Sequence, residues 1–387
     1  MFNDEIINNS PVENNIYTDL VLNSSKINKP ITKYTKIGNI EIGNGIFLAP
    51  MEEVSNLPFR LVCKKLGADI VYSEFISSDG IVRDSWKSKH KMQIHPEETP
   101  TAIQIFGSDI ESMVESAKIV EGDGADILDI NFGCWVQKVV KREAGAAFLK
   151  QPERMAELTN MVVNAVKIPV TVKTRLGWDK KSIVIDKVAK MMEEAGAKAL
   201  AIHCRTRDMG MSAQADWSWI PIIKSIVNIP VILNGDVVTP HDVKRAFDTT
   251  GCDALMIGRG CIGYPFIYKM AKEYIETGIM PEDPTLRERI DTCLFHLEKT
   301  VEYNGSHGLV EFRKHYSGYL KGFYEASNVR RKIMQCVSFD EVKTLLEEYY
   351  DYLGSIDRLD PVLKEREIQN LNCENPKYIA KQMQELV

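Results

Sequence analysis

The sequence predicts an α/β fold, a (β/α)8 TIM barrel followed by a C-terminal all-helical domain, on three observations. Eight short β-type runs alternate with helical runs between residues 46 and 260. The runs are apolar through most of their length, as parallel strands buried on both faces must be. After about residue 285 the β signals stop and only helical patterns follow. Eight such units fit a closed barrel of about 250 residues. A doubly wound open sheet is the runner-up, and the lack of a G-x-G-x-x-G turn after the first strand counts against it.

Residues 1–37 read as a polar, Asn-rich N-terminal extension without periodicity, a loose tail with one short helix at most. The barrel is expected over 38–285. Its strands are IFLAPM (46–51), DIVYSEF (69–75), TAIQIFG (101–107), ILDINFG (127–133), VTVKTR (170–175), ALAIHCRT (199–206), VILNGDV (231–237) and ALMIGRG (254–260). Between them lie segments such as PERMAELTNMVVNAVK (152–167), with apolar residues at helical spacing and acidic residues in the first turn. The helical domain is expected over 286–387: RERIDTCLFHLEKTVEYNG, FRKHYSGYLKGFYEA and FDEVKTLLEEYYDYL read as helices, and the chain from Pro361 as a helical tail.

With 44% hydrophobic residues among 387, the chain can fill a sizeable core, which excludes wholesale disorder. No apolar run approaches the roughly 18 residues that a membrane span needs. The opening MFNDEIINNS is neither basic nor greasy, and the first arginine is Arg60, so neither an export signal nor a mitochondrial presequence is indicated. The expectation is a cytoplasmic monomer without membrane contact. Eight cysteines contain no C-x-x-C pair, which argues against a zinc ribbon or redox dithiol, and no metal site is expected. The net charge of -6 argues against indiscriminate nucleic-acid binding, but a local basic patch remains compatible with it.

In such a barrel, function sits at the carboxyl ends of the strands. Those ends are polar: Met51, Glu74, Gln104, Asn131 with Cys134, Lys173 with Arg175, His203 with Arg205, Asn234 with Asp236, and Gly258 with Arg259. Any one of them could be a solvated loop residue, but packing alone gives no reason to gather an amide, a lysine, a histidine and an arginine on one rim. The NGD and GRG ends of the last two strands read as a phosphate site, where glycine lets backbone amides approach an anion and Arg259 adds charge. Gln104, Lys173 and His203 suit a planar heterocycle with carbonyl and ring-nitrogen groups, and a lysine there would stabilise negative charge on a reduced flavin.

Together, LAPMEEVSNLPFR (48–60), QIFGSD (104–109), DINFGC (129–134), VKTRLGW (172–178), IHCRTR (202–207), NGD and IGRG resemble the tRNA-dihydrouridine synthases of bacterial type, from about residue 38 to 350. The resemblance implies an FMN-binding barrel with a helical domain, and reduction of specific uridines in tRNA, with NADPH or NADH regenerating the flavin. By position it implies that Pro50, Met51 and Glu52 form the loop under the flavin. Gln104 and Lys173 then contact its pyrimidine edge and His203 is a further neighbour. Asn234, Gly235, Asp236, Gly258 and Arg259 form the ribityl and phosphate cradle. Cys134 matches the catalytic cysteine, and Asn131, Arg175 and Arg205 match polar residues near the substrate base.

The role for Cys134 also follows from the chemistry. Saturating uracil needs a hydride at carbon 6 and a proton at carbon 5, and a thiol with an ordinary pKa near about 8.5 stays protonated at neutrality. The sequence departs from the family pattern at Trp135, where a proline is usual, at Glu52, where a small residue is common, and at Ala213, near a usual glycine.

The implied tRNA grip is the helical domain. Between Leu309 and Lys332, six cations (Arg313, Lys314, Lys321, Arg330, Arg331, Lys332) stand against two carboxylates. Tyr316, Tyr319 and Tyr324 are interleaved with them, and His315 completes an R-K-H run. Two other functions compete: a flavin barrel acting on a free pyrimidine, which would need no such platform, and an RNA-binding chaperone that no longer turns over.

Overall fold

The computed structural model describes residues 35–361. Residues 1–34 of the extension expected over 1–37, and the tail expected after Pro361, lie outside the described residues, while residues 35–37 form a strand and not part of a loose tail. The chain opens on an antiparallel hairpin, β1 (Thr35–Ile37) and β2 (Ile40–Ile42). Strands of three residues carry too little periodicity to be read from sequence, and the hairpin was not among the expected elements.

Eight strands follow: β3 (Ile46–Leu48), β4 (Val71–Ser77), β5 (Thr101–Phe106), β6 (Ile127–Asn131), β7 (Val170–Arg175), β8 (Leu200–His203), β9 (Val231–Asn234) and β10 (Ala254–Ile257). Each overlaps an expected run. They pair in parallel in the order β3-β10-β9-β8-β7-β6-β5-β4. The ring closes between β3 and the approach to β4, where the Asp69 amide donates to the Ile46 carbonyl at 2.9 Å and the Leu48 amide to that of Ile70 at 3.0 Å.

Strand alternation divides the apolar residues into two cores. Outward-facing Leu48, Val71, Ile103, Leu128, Val172, Ile202, Leu233 and Ile257 pack with the surrounding helices. Inward-facing Phe47, Tyr72, Ala102, Ile127, Ala201, Ile232 and Met256 fill the barrel, and Ile37 and Ile42 of the hairpin join that interior cluster. The small alanines leave room for the bulkier neighbours in a ring of fixed diameter.

Helices from Leu286–Asn304 to Phe339–Ser355 pack around a separate apolar cluster. Thr285 starts the first of them with a capping box: its hydroxyl accepts from the Glu288 amide, and the Glu288 carboxylate accepts from the Thr285 amide. Phe266 and Met270, from the last segment of the barrel, belong to this second cluster, so the two parts share apolar surface. Among the described residues, no helix is long and apolar enough to cross a membrane.

The helix Leu57–Lys65, capped by the Asn56 side chain, carries Arg60 into the interior. Its guanidinium meets Glu98 in two bonds, Nε at 2.8 Å and Nη2 at 3.1 Å, and also donates to the carbonyls of Ser55 and Gln93. Both partners are essentially inaccessible. Arg60→Ala would leave Glu98 buried without its cation and should lower stability by about 3–5 kcal/mol, seen as a lower urea midpoint. Replacing both residues by methionine should cost much less, and equal midpoints for Arg60→Ala and wild type would mean the pair is hydrated in solution.

Candidate active site

The inward strand positions change character along the barrel axis. Below they are apolar; toward the carboxyl ends they become Gln104, Asp129 and Thr171, and then Asn131, Lys173, His203 and Asn234. Register makes neighbours of them: Gln104 pairs with Asp129, Asp129 with Thr171, Asn131 with Lys173, and His203 with Asn234. Above this layer opens a cavity of about 770 Å³.

Asp129 is the lowest member of a hydrogen-bonded chain that ends at a cysteine. Its carboxylate accepts from the Thr171 hydroxyl and the Gln104 amide, both at 2.6 Å. The Gln104 carbonyl oxygen accepts from Asn131 Nδ2 at 2.7 Å. Asn131 Oδ1 accepts in turn from the amides of Gly133 and Cys134, at 3.0 and 2.9 Å. A carboxylate can only accept, so it fixes which way both amide side chains point. Burial pushes the Asp129 carboxyl up to about 6.

This geometry corrects one expectation. Gln104 is fully buried, has both ends of its amide engaged and does not line the cavity. It positions Asn131 rather than facing a heterocycle.

Cys134 lines the cavity beside Trp135, and Phe75, Phe106, Val139 and Ala144 form an apolar wall around it. Burial in that wall pushes the thiol above its ordinary range, against weaker pulls from the Val136 amide and from Arg175. Arg175 clasps the loop after β6 to the loop after β8, donating to the carbonyls of Gly133 (2.8 Å), Thr206 (3.1 Å) and Gly210 (3.0 Å). Lys173, also on the cavity wall, is pulled down to about 8 by burial first and then by Arg175, while Asp129 opposes the shift.

On the opposite side, Asp236 organises two arginines. It accepts from Arg205 Nη2 at 2.6 and 2.7 Å and from Arg259 Nη2 at 3.1 Å. It does so from a left-handed backbone conformation, next to Gly235, where an added Cβ would come within 3.0 Å of Ala215 Cβ and 3.1 Å of the His203 ring. Asp236 thereby fixes the orientation of both guanidinium groups. Arg205 lines the cavity and is held on three sides: Nε on the Ala213 carbonyl, Nη1 on His203 Nε2 at 3.1 Å, Nη2 on Asp236.

Because a guanidinium only donates, His203 Nε2 accepts and Nδ1 carries the proton. Burial and the surrounding cations hold His203 neutral, well below its usual range. Arg259 also lines the cavity and differs from Arg205 in keeping a buried Nη1 without a hydrogen-bond partner.

Pro50, Met51, Glu52, Asn234, Gly235 and Gly258 also line the cavity. Glu52 pairs with Lys91 Nζ at 2.7 Å, and Lys91 reaches Glu74 at 3.0 Å. Lys91 and its neighbours Ser85, Lys87 and Ser88 had no signal in the sequence, because an ordinary helix following β4 carries them to the rim.

The R-K-H run sits elsewhere. Arg313 is exposed, but Lys314 turns inward and donates to the Glu53 carbonyl in the first barrel loop. His315 is buried, with its ring 5.0 Å from Phe59 and 4.6 Å from His296. Tyr316 and Tyr319 are buried in the helical core, and only Tyr324 is exposed. The helical period places this face inward, so His315, Tyr316 and Tyr319 cannot stack on RNA bases.

The family model for dihydrouridine synthase (Dus) matches residues 47–353. A probable tRNA-dihydrouridine synthase of Rickettsia conorii is 36% identical over 326 residues, 84% of this chain and 98% of that protein. A tRNA-dihydrouridine synthase B of Vibrio cholerae is 38% identical over 322 residues, 83% of this chain and 100% of that protein. The chain belongs to the dihydrouridine synthase family. Among solved structures, histamine dehydrogenase from Rhizobium sp. 4-9 superposes with a TM-score of 0.53 at 10% identity, over 70% of this chain and 51% of that one, a likeness of fold. All the motifs that carried the family resemblance lie within or overlap the matched span.

Asn131→Ala should free the Cys134 loop, leaving two backbone amides without their acceptor and costing about 1–3 kcal/mol. Alkylation of Cys134 at neutral pH, followed by peptide mass mapping, should be slow in the wild type because the raised thiol pKa keeps thiolate scarce, and faster in the variant. Equal rates would mean that the amide chain does not hold the thiol.

Proposed function

We propose that this protein reduces the carbon 5–carbon 6 double bond of uridine in tRNA, using FMN held in the rim cavity and a nicotinamide dinucleotide as reductant. One observation supports this reading above the others. The cavity presents a buried, unpartnered guanidinium nitrogen on Arg259 and the Cys134 thiol, from strands on opposite sides of the ring.

The residues fit an FMN. Arg259 Nη1 is an unused charged donor suited to a phosphate, beside the open backbone of Gly235 and Gly258. Lys173, Asn234 and neutral His203 offer a cation, an amide and a ring N–H for a polar heterocycle. Bound and reduced, the flavin supplies the hydride that uracil carbon 6 needs.

The chain's own part is the proton. Cys134 holds it at Sγ, the apolar wall keeps it there, and the Asn131 bonds to the loop amides fix where the sulfur stands. Lys173, still largely charged at neutral pH with its value near 8, favours charge developing on the carbonyl edge of a substrate ring. Pro50, Met51 and Glu52 close the cavity from the first loop, which Lys314 ties to the helical region. The exposed cations Arg313, Arg331 and Lys332, with Lys138 and Arg142 at the cavity mouth, offer the RNA backbone a positive face.

Purified protein should be yellow, and with NADPH it should form dihydrouridine in tRNA, read by nucleoside mass spectrometry. Conversion of free uridine or orotate in preference to tRNA would refute the assignment. Arg259→Ala should weaken FMN retention by about 10- to 150-fold, the loss of a charge-assisted bond worth about 1.5–3 kcal/mol; equal retention would move the phosphate elsewhere.

Cys134→Ala should keep its flavin and its reduction by NADPH, yet form product about 100- to 10,000-fold more slowly. The sign of the thiol shift sets the pH profile. A raised pKa keeps the proton on sulfur through neutrality, so the Cys134-dependent rate should hold up to the ordinary thiol range and fall only above it. A fall between pH 6 and 8 that disappears in Cys134→Ala would contradict this role.

A further inference from the structure

Trp86 is 74% exposed. A single exposed hydrophobic residue needs no explanation by itself, but this one is braced. The His90 ring lies under the indole at 4.8 Å and 13°, and the Tyr303 ring lies against His90 at 3.9 Å and 20°. The Tyr303 hydroxyl donates to the His90 carbonyl, and His90 Nε2 meets Asn304 Oδ1 at 2.7 Å. An amide oxygen only accepts, so Nε2 carries a proton and the ring plane is fixed.

The column spans two parts of the fold. Trp86 starts the helix Trp86–Met92, whose neighbours Ser85, Lys87, Ser88 and Lys91 line the cavity, while Tyr303 and Asn304 end the helix Leu286–Asn304. The column thus joins the helix that lines the cavity to the helical region, with the indole as its outer ring and exposed Lys87 next to it in sequence. A rigid aromatic plate next to a cation is what an unstacked base and its phosphate require, and a plate that is already ordered loses little entropy on binding.

We propose that Trp86 is a stacking platform for an unpaired base of the RNA, one close in sequence to the nucleotide that enters the cavity. The inference rests on the tRNA reading given above. Since every base has a π-face, the platform contributes affinity and register but not base identity.

Three variants test it: Trp86→Ala, Trp86→Phe and Trp86→Lys, each measured for tRNA binding by filter retention, for KM and kcat with tRNA, and for flavin reduction by NADPH. Trp86→Ala should raise Kd and KM for tRNA by about 5- to 150-fold, with kcat at saturating tRNA and the NADPH step little changed. Trp86→Phe should recover most of the binding, and Trp86→Lys should not.

Unchanged tRNA binding in Trp86→Ala would overturn the proposal. So would full rescue by Trp86→Lys, which would mean charge rather than stacking. A raised KM for NADPH with tRNA binding intact would assign the plate to the dinucleotide and overturn it as well. Failure of the underlying reading shows separately, as wild-type protein that neither binds tRNA nor forms dihydrouridine in it, and that would remove both.

Discussion

Closing a parallel sheet into a ring constrains everything else in this molecule. Every strand then ends on the same rim, and every second residue points at the axis whether it is apolar or not. A barrel interior that is apolar throughout is simply packed. Here the inward positions at the carboxyl end are Gln104, Asp129, Asn131, Lys173, His203 and Asn234, and each polar group taken from water must find a partner or face the cavity. The adjacent pairings of β5, β6 and β7 solve this for Gln104 and Asp129, because register sets Gln104 beside Asp129 and Asp129 beside Thr171.

Two carboxylates therefore organise the site, Asp129 buried beneath the cavity and Asp236 on its wall. Asp129 orders a chain of amides that ends at the Cys134 loop, and Asp236 orders a pair of arginines, of which Arg259 keeps a buried Nη1 without a partner. Acceptor-only groups at the root of each network remove the ambiguity that amides and guanidinium forks would otherwise have. Side chains held this way need little reorganisation when charge develops nearby, the general basis of electrostatic preorganisation.

The helical region is coupled to the same rim. Lys314 bonds to the Glu53 carbonyl, Phe59 packs against both His296 and His315, and the Trp86–His90–Tyr303 column bridges a barrel loop and the first long helix. Glu53 has a left-handed backbone, and its amide donates to Glu74 while its carbonyl accepts from Lys314. The loop lining the cavity is thus held from both sides, which explains how a strained turn without glycine persists there.

All eight barrel strands were legible in the sequence because parallel strands buried on both faces leave continuous apolar runs, and their polar last residues marked the rim. Cys134, Lys173, His203, Asn234 and Arg259 were legible for the same reason, since a strand end has one place to go in this fold. What the sequence could not decide was direction within a helix or network. Arg313, Lys314, His315 and Tyr316 are consecutive, but a helix advances 100° per residue, so only Arg313 stays in water while the others turn toward the barrel loop or the core. Gln104 looked like a ligand contact, yet a partner 25 residues away claims its amide nitrogen. Trp86 gave no signal at all, because an exposed indole acquires meaning only from the rings and the cavity that tertiary packing brings beside it.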